Sequence, residues 1–267
     1  KLTVDGVAGA AGDVLTSNGV SVSWVAPTAD ITDTNTDATY YPIFTDGAGT
    51  SKTLNVDTVT PISVNPNTGD FTVVDTLKID QTKVAVGKSA GLTTQGTASV
   101  AIGFQAGNSV QGADSVAVGV NAGNDGQLAN AVAVGLGAGQ TSQGTASVAI
   151  GTTAGQTSQG PTSVAIGQNA GNDTQGVAAI ALGQNAGNAN QGINGVAIGQ
   201  SAGQTTQSTN SVAIGFQAGN SVQGADSVAI GNAAGNSAQG GGSVAIGQSA
   251  GQTSQSTNSV AIGTAAG

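Results

Sequence analysis

The 267-residue chain contains no Cys, Met, His, Arg or Glu. Without Cys and His it can form no disulfide, no Ser-His-Asp or Cys-His triad and none of the common zinc sets. Aromatics make up 3% of residues and charged residues 7%, which excludes a conventional core of large side chains. No apolar run is long enough to span a bilayer, and no basic start followed by an apolar stretch marks a signal peptide. The chain starts at Lys1 rather than Met, as expected of a processed or partial product. Fourteen Asp against five Lys give a net charge of −9, which argues against nucleic acid or an anionic membrane as a partner and favours solubility.

What the chain does have is 44 Gly together with Val and Ile at strictly regular places, a pattern that disordered linkers lack. From Val84 the Val-Ala start recurs every sixteen residues, with Ile in place of Val at residue 180. Eleven full repeats run from 84 to 259, and a twelfth stops at Gly267. With that Val as position 1, the pattern is V-A-[IV]-G-x-x-A-G-[NQ]-x-x-Q-[GS]-x-x-[SAG]. The stretch SVAIGFQAGNSVQGAD occupies 99–114 and returns unchanged at 211–226, seven repeats later. Unbroken phase suits a stack in which each repeat lies on the one before it. Sixteen residues match one coil of a parallel β-solenoid or β-roll, with two short strands and two turns.

Side chains alternate along a strand, so positions 1 and 3 share one face while Ala at 2 and Gly at 4 share the other. Placing the larger aliphatics inside predicts a coil core of Val100, Ile102, Val116, Val118, Val148, Ile150, Val164, Ile166, Val212, Ile214, Val244 and Ile246. The Ala/Gly face, including Ala101 and Gly103, then faces a neighbouring chain in a parallel homotrimer. Position 12 is Gln in every full repeat: Gln95, Gln111, Gln127, Gln143, Gln159, Gln175, Gln191, Gln207, Gln223, Gln239 and Gln255. A column of amides predicts a structural ladder along the axis that also satisfies turn carbonyls. Phe104 and Phe216 stand out at position 5, which is otherwise mostly polar or small.

Residues 1–83 form a different region, with four of the five Pro and ten of the fourteen Asp. Alternation in Val20–Val25 and in Phe71–Val74 predicts strands, and Asn65–Asp70 and Thr45–Gly49 read as turns. A small all-β region is expected, with a sub-boundary near 27–37.

Chemistry is sparse. Asp30, Asp33, Asn35 and Asp37 place oxygen ligands close together, but the Gly and terminal Glu of a calcium loop are missing, so a solvated linker is the stronger reading. Asp114, Asp125, Asp173 and Asp226 are isolated in separate coils. No Gly-rich stretch ends in Gly-Lys-Ser/Thr, so no phosphate loop is present. Position 10 is too irregular for a lattice-matched ice-binding face. No enzyme activity, cofactor or metal is expected.

Ser-Val-Ala-Ile-Gly-x-x-Ala at 99–106, 147–154 and 243–250 resembles the head repeats of trimeric autotransporter adhesins. Those form left-handed parallel β-rolls assembled as trimers, with a usual period of fourteen residues rather than sixteen. The longer form VAIGxxAGxxxQG is similar to repeats in bacteriophage tail fibres and in fibre proteins of large viruses. Segments 9–24, 40–47 and 65–69 look like pieces of viral fibre shafts. Such fibres are often followed by a self-cleaving chaperone domain, and the stop at Ala265-Ala266-Gly267 is expected of a fragment or a mature shaft.

The resemblance implies the structural shaft of an extracellular or virion-surface attachment fibre. It would be a homotrimer, with a cell-surface glycan or receptor as a further candidate partner. Two other readings stay open: a subunit of an extracellular solenoid filament, and a glycan-binding module using the polar rows at positions 9 to 11.

Overall fold

The computed structural model describes residues 83–267 and eight short strands among residues 1–82. Contacts divide the chain into Lys1–Lys78 and Ile79–Gly267. In the first unit the strands pair as antiparallel hairpins. Val14–Ser17 pairs with Val22–Val25, and Ile62–Asn65 pairs with Asp70–Val73, with Asn65 opposite Asp70. Two shorter pairs join Thr3–Val4 to Val7–Ala8 and Phe44–Thr45 to Leu54–Asn55. Asp30, Asp33, Asn35 and Asp37 lie outside the described residues.

The second unit is a parallel β-solenoid with one sixteen-residue coil per repeat. One sheet has twelve strands, from Lys83–Val86 to Val260–Ile262, built from positions 1 to 3. The facing sheet has ten strands, from Thr94–Gln95 to Ala238–Gln239, ending at the position 12 Gln, and a lone bridge from Gln239 to Gln255 extends it. Register is kept throughout: Val148 pairs with Val164, Ala149 with Ala165 and Ile150 with Ile166. Eleven inter-strand steps of about 4.8 Å give this sheet a length on the order of 50 Å.

Two turns close each coil, and both follow one rule. The Ala154 N–H donates to the Gly151 carbonyl (3.3 Å), and the Ser147 N–H to the Gly144 carbonyl (3.3 Å). The third residue of each such turn has positive φ, as in Thr153 (53°) and Ala146 (55°). These are type II turns, which favour Gly or Asn there and accept Pro at the preceding place, where Pro161 sits in its coil.

The two glycines that flank the first turn have distinct jobs. At Gly151 (φ 126°) a Cβ would lie 2.8 Å from the carbonyl oxygen of Gly167 in the next coil. At Gly155 (φ 51°) it would lie 2.7 Å from Gln159 Oε1 inside the coil. The first glycine sets coil-to-coil spacing, and the second makes room for the core amide.

Candidate functional site

The interior of the solenoid is the reverse of what hydrophobicity alone predicts. Ala101, Ala149, Ala165, Ala213 and Ala245, all at position 2, are completely buried, as are Ala106, Ala154 and Ala170 at position 7. Val100, Val116, Val148, Val164, Val212 and Val244 are only half-buried, as are Val118, Ile214 and Ile246. Ile102, Ile150 and Ile166 are exposed, at 38–39%. The expected Val/Ile core is therefore corrected to the outer face of its strand, and the Ala face is corrected from a partner contact to the core.

The reason is thickness. A Cβ built at Gly171 would come within 3.2 Å of the Ala165 Cβ, so across the coil Ala already meets backbone. A Val or Ile side chain has no volume to occupy there.

The remaining interior is polar: every core Gln has its Nε2 held, while Oε1 of Gln111, Gln127, Gln159 and Gln239 is buried without a hydrogen-bond partner. All eleven Gln side chains donate from Nε2 to the position 1 carbonyl of their own coil at 2.7–2.9 Å, for example Gln175 to Val164 and Gln191 to Ile180. Each amide thus ties one sheet to the other through the core. Six also donate to the Oε1 of the next Gln: Gln127 to Gln143, Gln159 to Gln175, Gln175 to Gln191, Gln191 to Gln207, Gln207 to Gln223, and Gln239 to Gln255. Ten of the eleven are buried, while Gln95 in the first coil is partly exposed. Ser at position 16 is satisfied by its own turn, as in Ser163 Oγ donating to the Gly160 carbonyl (2.7 Å).

The Asn row at position 9 is also engaged internally. Asn108, Asn124, Asn172, Asn188, Asn220 and Asn236 each donate from Nδ2 to the position 6 carbonyl of the previous coil at 3.0 Å. Each bond clips the positive-φ turn of one coil to the next. These amides hold the stack, with one N–H of each committed to the neighbouring coil.

What remains on the surface is an aliphatic strip. Positions 1 and 3 of twelve consecutive strands point outward in register, giving two parallel columns of Val, Ile and Leu. With strands about 4.8 Å apart and about 7 Å between the columns, its footprint is on the order of 400 Å². That lies within the range of the largest apolar patch found on soluble monomers, about 300–600 Å², where such patches are often functional. Among the described residues no three acidic, His or Cys side chains come together to hold a metal ion. No helix of the described residues is long and apolar enough to cross a membrane.

Scans against protein-family models, curated proteins and solved structures each found no match. The functional reading rests on the strip and on the repeat.

Proposed function

We propose that the chain is the structural shaft of an attachment fibre, outside a cell or on a virion, assembled as a parallel homotrimer around its Val/Ile strips. The observation that carries this reading is the strip itself. It runs the length of the solenoid, holds only aliphatic side chains, and lies on a rigid, regular sheet. Burying one such side chain more fully contributes up to roughly 1.5–3 kcal/mol, repeated on every rung. The resemblance of the repeat to trimeric adhesin heads and viral fibre shafts supports three copies and the fibre role. The partner surface is the Val/Ile face rather than the Ala/Gly face.

In such an assembly the repeat number sets length, the stacked sheets supply stiffness, and recognition of a surface belongs to other parts of the fibre. Sedimentation equilibrium of the full chain tests the assembly. Three times the chain mass is the expected result, together with rod-shaped particles by electron microscopy. A chain that stays monomeric at micromolar concentration would remove the basis for the reading.

A further inference from the structure

The Val/Ile strip poses a problem for any assembly built on it, because it is almost the same on every rung. At position 1 Val pairs with Val, with Ile180 as the one departure, and at position 3 Ile or Val pairs with Ile or Val, with Leu182 as the one departure. A second copy shifted by one coil meets the same side chains and loses only an end rung. A periodic interface of this kind leaves axial register weakly specified. Something aperiodic beside the strip must set it.

Position 5, two residues beyond the outward position 3, forms one margin of the strip. In most coils it is polar, as in Gln168, Gln184, Gln200 and Gln248. In three consecutive coils it is Phe104, Val120 and Leu136, exposed at 43, 43 and 53%. They form one column, since the Asn121 N–H donates to the Phe104 carbonyl and the Gly137 N–H to the Val120 carbonyl, both at 2.9 Å. The opposite margin is apolar on two of the same rungs, with Ala113 and Ala129 at position 14. Leu128, 46% exposed, precedes Ala129 at position 13 of the same turn, a position that is Gly or Ser in every other full coil. The Asn130 N–H donates to the Ala113 carbonyl (2.9 Å), which keeps this margin in column as well.

In a parallel rotational assembly, one margin of each copy lies beside the opposite margin of the next copy at the same height. The two apolar margins meet only when the copies are in register. Elsewhere the match is absent or shorter. Val177 and Ile193 stand across from the polar Gln168 and Gln184, and Phe216 with Ala225 spans a single rung.

We infer that coils 100–147 are a register clamp for self-association, and that their partner is the same segment of a second copy of this chain. This rests on the assembly proposed above.

The test uses the full chain, which has no native Cys. Two differently tagged versions, Ile198→Cys and Ile230→Cys, are refolded together and oxidised. With the clamp intact, disulfides should join like to like. The triple variant Phe104→Gln, Val120→Gln, Leu136→Gln should raise mixed 198–230 crosslinks several-fold, because copies slipped by two coils become populated. Gln occupies position 5 in four other coils, so each solenoid should keep its circular dichroism and its fold. Crosslinks that stay like-to-like in the triple variant would overturn the clamp while leaving the assembly standing. No crosslinks and a monomeric mass in the parent would overturn both.

Discussion

At the level of single residues, the interior works because nothing in it is large except an amide whose Nε2 is held by a backbone carbonyl of its own coil. Replacing Gly151 by Ala should cost about 3 kcal/mol, since φ is 126° and the new Cβ meets a backbone oxygen that cannot step aside. Gly137→Asn should change stability by less than about 0.5 kcal/mol, because its nearest neighbours would be 3.6 Å away and Asn121 and Asn169 already hold that place in other coils. Denaturant melts at equal protein concentration separate the two.

For the amide column, Gln175→Leu should cost about 2–4 kcal/mol by removing the bonds to Val164 and Gln191 and leaving a buried acceptor alone. Gln175→Glu adds a pH dependence. Burial disfavours the carboxylate, so its folded pKa rises above the unfolded value of about 4.3. Stability is then fully present below that value and falls as pH rises, so the variant should melt lower at pH 7 than at pH 4 by a margin the parent does not show.

At the level of strands and turns, much was legible in the sequence. The sixteen-residue phase, the two strands per coil, the glycine turns and the Gln column can all be read from the spacing. The direction of the strand faces could not be read from alternation alone. Alternation says that Val100 and Ile102 oppose Ala101, but which side is inside depends on the gap between sheets. A signal was present: positions 16 and 2 share a face and are never larger than Ser.

The positive-φ places at positions 6 and 15 are harder to see, because residues such as Thr153 and Ala178 hold them against their own preference. Asp114, Asn130, Asn194, Asn210, Asp226, Gly242 and Asn258 are the compositional trace at position 15. Since each coil touches only its neighbours, deleting one whole coil, 164–179, should leave folding and circular dichroism per residue unchanged. Deleting only 164–171 breaks the phase of both sheets and should lower the melting temperature sharply.

At the level of the molecule, small residues and amides fill the solenoid, and the proposed assembly joins copies along the outward Val/Ile strip in register. A single introduced thiol tests it most directly, because the chain has no other. Ile166→Cys lies on the outward face, and Ala165→Cys lies in the completely buried row beside it. On mild oxidation Ile166→Cys should give a disulfide-linked pair of chains, since parallel copies bring this residue close to itself. Ala165→Cys should stay a free, uncrosslinked thiol that reacts with labelling reagents only after denaturation. Efficient crosslinking of Ala165→Cys with none at Ile166→Cys would contradict both the inside-out assignment and the assembly built on it.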